Sequence, residues 1–243
     1  MNIHAIDRPK ETSQPVSPVK PPVLQSGDHL SRAEFERRYQ AHPEIKAELI
    51  EGVVYVASPT RYKQHANPHY GIIGWLVAYN AATPGVEGGN NATLRLDLEN
   101  EPQPDVVLRL SPEVGGQSYV AEDDYLEGIP ELIVEISASS ASYDLHNKRR
   151  VYARNGAPEY LVVLTYEQQV KWFVLREGGY ELLEPDENGI LRSEIFPGLW
   201  LQPAALWSGD LAALLAALQE GLASPEHAAF VEQLATKRQE NQP

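Results

Sequence analysis

Pro130-Glu131-Leu132-Ile133-Val134-Glu135-Ile136-Ser137 is the stretch on which the reading of this chain turns. It is an apolar run of strand length broken by one acid, Glu135. Burying an ionised carboxylate without a partner is expensive, so such a residue meets a cation or shifts its pKa. An isolated acid of this kind can also simply point outward or pair with an arginine. The segment Ser142 to Asn155 that follows has helical character, and Gly156 supplies a C-terminal stop. Glu159-Tyr-Leu-Val-Val-Leu164 and Val170-Lys-Trp-Phe-Val-Leu175 are rich in β-branched and aromatic residues, and the short polar turn between them predicts a hairpin. Tyr180 to Leu183 extends it.

Upstream, Asp105-Val-Val-Leu-Arg-Leu110 reads as a strand with an acid at its start, and Thr93 to Leu98 alternates as a half-buried strand should. Ser111 to Gly128, rich in Gly, Ser and acid, reads as a loop. A helix is predicted from about Arg61 to Ala82 with Ile72, Ile73, Leu76 and Val77 on its apolar stripe, stopped by Thr83-Pro84-Gly85. Glu48 to Ala57 is a strand or hairpin broken at Gly52, and Ser31 with Glu34 has capping-box spacing for a short helix through Tyr39. Residues 1 to about 27, punctuated by Pro9, Pro15, Pro18, Pro21 and Pro22, read as a tail. From Asp210 onward two helices are predicted, one with Leu211, Leu214, Leu215 and Leu218 on a face, the other from Pro225 to about Lys237. The order of elements is a mixed α/β or α+β plan.

The chain has 243 residues, 42% of them hydrophobic, enough for one domain with a sizeable core. Cysteine is absent, which excludes disulfides and thiolate metal sites and fits a reducing compartment. No basic segment leads into an apolar one at the N-terminus, and Leu211 to Leu218 is far too short to span a bilayer. A cytoplasmic protein without membrane contact is expected. The formal net charge of −14 opposes nucleic-acid binding, which depends on Lys and Arg. Against it, Lys148, Arg149, Arg150 and Arg154 form the densest basic cluster and the best local candidate for a phosphate-contacting surface.

Two strands that each carry an acid near an end, Asp105 and Glu135, can bring two carboxylates together, and paired hard oxygens suit Mg²⁺ or Mn²⁺. Lys148 stands four residues after Asp144 on the predicted helix. That spacing is either a surface ion pair worth a few tenths of a kcal/mol or a positive charge pointed at a metal-bound water or the phosphate. Other signals are weaker. Gly115-Gly116 is followed by no Lys-Ser/Thr and is no phosphate loop. Ser139-Ser140 lacks a positioned base. His65 and His69 have zinc-site spacing without the rest of a metalloprotease motif. Trp172, Trp200 and Trp207 are expected to fill core.

The ordered series Gln103-Pro104-Asp105, Pro130 to Ser137, Ser139-Ser140, Asp144 to Lys148, Tyr152, Gly156 and Glu159-Tyr160 resembles the Uma-type restriction endonucleases of the PD-(D/E)XK nuclease superfamily. Glu48-Leu-Ile-Glu-Gly52, Ser58-Pro59 and His65 match the family's upstream pattern, so the resemblance covers roughly residues 30 to 200. It implies a restriction endonuclease-like core with a mixed sheet flanked by helices. The domain would span 28–207, with a helical extension over 208–243. It implies Asp105, Glu135 and Glu48 as metal ligands, with Glu51 as the alternative upstream acid. His65 would lie near the site, with Asp144 and Tyr152 supporting. The superfamily usually places a Lys two residues after the second acid. Ser137 stands there, and the resemblance assigns that function to Lys148.

The function expected on this basis is Mg²⁺- or Mn²⁺-dependent hydrolysis of DNA by an endonuclease, with a homodimer as the expected assembly. The competing reading is a nuclease-like fold of weak or no activity serving as a binding or regulatory module, which the acidity of the chain favours. RNA or a nucleotide as substrate is a third.

Overall fold

The computed structural model describes residues 20–241. Its centre is a six-stranded sheet in the spatial order Gly179–Leu182, Gln169–Arg176, Glu159–Leu164, Leu132–Ser137, Val106–Leu110, Val86–Asn90. Every neighbouring pair is antiparallel except Leu132–Ser137 with Glu159–Leu164, which run parallel. A parallel pair cannot be closed by a tight turn and needs a crossover. The helical segment from Ala141 to Arg154 provides it, and Gly156, at φ 83°, ends that helix where a side chain would be strained. The sheet is therefore mixed, flanked by helices, as the family resemblance implies.

Both central strands are buried at every position, so they read as continuous apolar runs rather than alternating ones. Period-two geometry still sorts their side chains. Val106, Leu108, Val134, Ile136, Leu161 and Val163 face Trp75, Leu76 and Tyr79 of helix Asn67–Ala82 and the C-terminal helices. Val107, Ile133, Tyr160 and Val162 face the crossover helix, where Tyr152 packs. Glu135 lies between Val134 and Ile136, and alternation sends it to the crossover-helix face. Each fully buried aliphatic here contributes on the order of 1.5–3 kcal/mol, which fixes the register that aims Glu135.

A hairpin, Ala47–Ile50 with Val53–Val56, stands beside this core. Glu51 and Gly52 form its two-residue turn at φ 53° and 72°, the positive-φ geometry of hairpin turns, which glycine adopts without strain. Helix Arg32–Ala41 packs on it through Phe35, and Ser31 caps that helix by accepting the Glu34 N–H.

The structure revises several expectations. Helix 67–82 points Ile72 and Leu76 inward but leaves Val77 59% exposed. Trp75 and Tyr79 take the inward positions instead, a choice that a nearly all-apolar helix does not reveal. The alternating segment 93–98 shortens to Leu94–Arg95, because the Asp97 carboxylate accepts from Glu99 N–H and Asn100 and turns the chain. Leu94–Arg95 pairs with Leu126–Glu127, which pairs with Tyr119–Val120, so the 111–128 loop carries a small sheet. Packing also begins before residue 28: Leu24 is buried against Phe35 and Leu49. Residues 1–19 of the expected tail lie outside the described residues. Helices Leu211–Leu222 and Pro225–Glu240, with the unforeseen Pro203–Ser208, are not appended to a finished core. Leu206, Leu214, Leu218 and Leu234 belong to the same cluster as Trp75. Among the described residues no helix is long and apolar enough to cross a membrane.

Candidate active site

The antiparallel register Val106↔Val134 continues one step further to set Asp105 opposite Glu135. Directly opposed residues on an antiparallel pair share a face, with Cβ atoms about 5 Å apart. The two acids are thus brought together by backbone pairing alone. Asp105 Oδ2 accepts the Ile136 N–H at 2.7 Å, which clamps the start of its strand to the neighbour.

Lys148 arrives from the crossover helix. Its Nζ donates to Glu135 Oε1 at 2.9 Å, lies 2.9 Å from Glu48 Oε2 and 3.8 Å from Asp144 Oδ1. Lys148 and Glu135 are each only 4% exposed. Glu48 comes from the first hairpin strand, where Gln103 N–H also donates to its Oε2. The Tyr152 hydroxyl donates to the same Oε1 of Glu135 at 2.9 Å. That leaves Glu135 Oε2 without a hydrogen-bond partner among the described residues. The Ser137 hydroxyl donates to Asp144 Oδ2 at 2.6 Å, tying the strand to the helix that carries Lys148. Glu48, Gln103, Glu135 and Lys148 line a cleft of about 1210 Å³, with Asp105, His65, Tyr143 and Asp144 on its wall.

Both π-helical turns of the described residues border this cleft. One, Asp144–Lys148, carries Asp144 and Lys148; the other, Tyr62–Ala66, carries His65. Such turns are rare and gather at functional sites.

The electrostatics are lopsided. Glu48, Glu135 and Asp144 surround a single ammonium, and Asp105 stands beside them paired with His65. Burial works against the charge on Lys148, yet Glu135, Glu48 and Asp144 outweigh it and raise its pKa well above the ordinary lysine range. Burial pushes Glu135 well up too; Lys148 opposes the rise, while Asp144, Asp105 and Glu48 reinforce it. For Asp105 burial is again the largest influence and favours the proton. The His65 hydrogen bond and charge, the Ile136 N–H and His69 together overcome it and hold Asp105 below its usual value. His65 is raised in turn, chiefly by that hydrogen bond to Asp105, with burial opposing.

The five residues singled out by sequence therefore meet in one cleft: Glu48, Asp105, Glu135 and Lys148, with His65 Nε2 3.1 Å from Asp105 Oδ1. Glu51, the alternative upstream acid, does not join them. It sits in the hairpin turn itself, 3.0 Å from Arg150 and in hydrogen-bond contact with Asn147. Glu48 and Glu135 turn to Lys148 and close no tight three-carboxylate cluster with Asp105. The group whose ligand atoms do lie within 4.8 Å of one another, among the described residues, is His65, His69 and Asp105. The spacing of His65 and His69 signalled this pair, and the strand start at Asp105 is what completes it; His69 Nε2 also lies 3.1 Å from the Asp105 carbonyl oxygen. Sequence reasoning missed the roles of Gln103 and Ser137 in the site. Gln103 acts through its backbone, which no side-chain pattern reports.

A mixed sheet with one parallel pair, two acids opposed across it and a lysine from the crossover helix match the arrangement that the resemblance in the sequence implies for a restriction endonuclease-like fold. The family profile described as "Putative restriction endonuclease" (Uma2) matches residues 32–204, and the chain belongs to that family. Among solved structures, "a putative nuclease belonging to DUF820" from Anabaena variabilis superposes with a TM-score of 0.52 at 13% identity, covering 68% of this chain and 92% of that one. At that identity the likeness speaks to fold alone. No curated protein matches the chain in a sequence search.

Proposed function

We propose that this protein is a divalent-metal-dependent endonuclease that hydrolyses phosphodiester bonds of DNA. The observation that carries the reading is the convergence of Glu48, Glu135 and Asp144 on the one ammonium of Lys148 in an open cleft, with Asp105, paired to His65, on the same wall. Three acids share the one ammonium while Asp105 pairs with His65, which leaves an excess of negative charge that suits a divalent ion. The donors fit one: hard carboxylate oxygens suit Mg²⁺ or Mn²⁺, and the nearby imidazoles of His65 and His69 extend tolerance towards Mn²⁺. Asp105, Glu135 and Glu48 would hold it. A bound ion supplies Lewis-acid stabilisation of the phosphoryl group and lowers the pKa of water at neutral pH.

The chain's own residues prepare the rest. Tyr152 and Lys148 both occupy Glu135 Oε1, which orients that carboxylate with Oε2 towards the cleft. His65 and the Ile136 N–H keep Asp105 anionic and in place. Lys148, held charged by its carboxylate neighbours, presents a fixed positive charge where negative charge builds on the scissile phosphate, an arrangement worth more in a sheltered cleft than in water. Ser137 cannot play that part. Its hydroxyl fixes Asp144 instead, and so secures the helix that delivers Lys148.

The test is cleavage of plasmid and single-stranded DNA with Mg²⁺ or Mn²⁺, wild type beside Asp105→Ala and Lys148→Ala. Loss of one preorganised electrostatic partner lowers such rates about 10²–10³-fold. Cleavage that survives in both variants removes the proposed site.

A further inference from the structure

A second groove, of about 720 Å³, lies on the outer side of the crossover helix, and four of its lining residues are arginines. Arg149, Arg150 and Arg154 come from the helix and Arg176 from the end of strand Gln169–Arg176. Glu51 is the groove's single acid. Four arginines line the groove against one acid, in a chain whose formal charge is −14. The arginines are not equivalent. Arg176 is already neutralised, its guanidinium 2.7 Å from both oxygens of Glu194. Arg150 and Arg154 share one carboxylate, Glu51, at 3.0 and 3.8 Å, and Arg154 also lies 3.9 Å from Asp97. Arg149 lies over the Phe173 ring at 5.2 Å and has no carboxylate within 4.0 Å among the described residues. Arg150 and Arg154 are more than half exposed. Exposed ion pairs of this kind contribute 1 kcal/mol or less, roughly, so a phosphate can displace the carboxylate at little cost.

Groove and cleft share two elements. The crossover helix sends Lys148 into the cleft and Arg149, Arg150 and Arg154 to the groove. The 47–56 hairpin places Glu48 in the cleft and Glu51 in the groove, with its turn as the ridge between them. From Lys148 to Arg154 the helix advances about 9 Å, the length of two to three nucleotide steps at roughly 3.4 Å of rise each. We infer that Arg149, Arg150 and Arg154 form a phosphate track that holds the sugar–phosphate backbone of the nucleic-acid substrate where it leaves the cleft over the Glu51–Gly52 turn. The inference rests on the nuclease reading above. It also explains how so acidic a chain engages a polyanion: contact is confined to one basic seam, and binding is steeply salt-dependent.

The experiment is fluorescence anisotropy of a labelled 20-base-pair DNA duplex in EDTA, from 50 to 200 mM salt, with thermal melts to verify folding. Replacing Arg149, Arg150 and Arg154 together by Ala should weaken binding about 10- to 100-fold at the lowest salt and make the slope of log K against log salt shallower by about 2 to 3. The same three changed to Lys should keep most of the slope. Glu51→Gln, which removes the competing carboxylate, should tighten binding. Unchanged affinity and slope in the triple Ala variant, weaker binding in Glu51→Gln, no duplex binding by wild type, or a polyglutamate peptide that binds more tightly than the duplex would each overturn the inference. Cleavage of DNA by a triple variant that binds normally defeats the track alone. Arginine-dependent binding with no cleavage under any divalent ion defeats the nuclease reading alone.

Discussion

Glu135 and Glu159 sit on adjacent parallel strands, three register steps apart, and both are buried, yet they are in opposite chemical situations. Glu159 accepts from four neutral donors: Trp172 Nε1, the Ser193 hydroxyl, and the N–H groups of Glu194 and Ile195. It stitches the 193–196 loop to the sheet, and every donor faces inward. Glu135 meets one ammonium and one hydroxyl among three other carboxyl groups, on the wall of a cleft. A buried acid surrounded by neutral donors is a fastener. A buried acid surrounded by acids that share one cation is poised for another cation. Burial does not distinguish the two; the sign of the neighbours does.

The strongest way to break this contrast is to remove the shared cation. Lys148→Met leaves Glu48, Glu135 and Asp144 without compensation and should cost about 3–5 kcal/mol of stability at pH 8, as removing one partner of a buried pair does. Chemical denaturation at pH 5 should show a smaller loss, because Glu135, which burial already pushes up, then takes up a proton. Equal loss at both pH values would mean that Lys148 acts by packing.

Glu159→Gln probes the other side. The amide turns an N–H₂ towards donors that need an acceptor, at a cost of about 2–3 kcal/mol. DNA cleavage below the melting temperature should be unchanged. A loss of cleavage comparable to that of the Asp105 or Lys148 variants would erase the distinction between the two acids.

A further effect is one of pH. Burial, only partly offset by its four donors, pushes Glu159 up to about 7. The unfolded chain titrates it near its ordinary value, so the folded state binds the extra proton between about pH 4.5 and 7. Its contribution to stability is complete below that window and is lost as pH rises through it. Each tenfold difference in proton affinity between the folded and unfolded chain is worth about 1.4 kcal/mol. Glu101, pushed up to about 8 by burial and by Glu36, acts in the same direction. Wild-type stability should therefore fall from pH 5 to pH 8. Glu159→Gln should flatten part of that fall, and the Glu101 part should persist. A rise in wild-type stability over this range would contradict both assignments.

Much of this is legible in the sequence for a physical reason. Strands buried on both faces must be apolar, so Glu135 is conspicuous inside Leu132–Ser137, and Asp105 is conspicuous at the head of the next strand. Lys148 is less legible. Four residues from Asp144, it reads equally as a surface pair, and the resemblance to a family supplies its role. His69 is visible as half of a spaced pair, but only the fold brings Asp105 to it. Glu159 cannot be told from Glu135 by pattern, since three of its four donors come from 193–195, remote in the chain. Trp75 and Tyr79 escape notice as core because their helix is apolar on most sides. The 93–98 strand reads too long because Asp97 ends it through its own side-chain hydrogen bonds. The C-terminal helices read as an extension because helix periodicity reports an apolar face without naming what it packs against.

The account is tested most directly by calorimetric titration of Mn²⁺ into wild type, Glu135→Gln and Glu159→Gln at pH 7.5. Wild type and Glu159→Gln should take up the ion with the same affinity, and Glu135→Gln should show no saturable heat. Undiminished Mn²⁺ binding by Glu135→Gln, or its loss from Glu159→Gln, would contradict the claim that the crowded acid and not the fastened one makes the site.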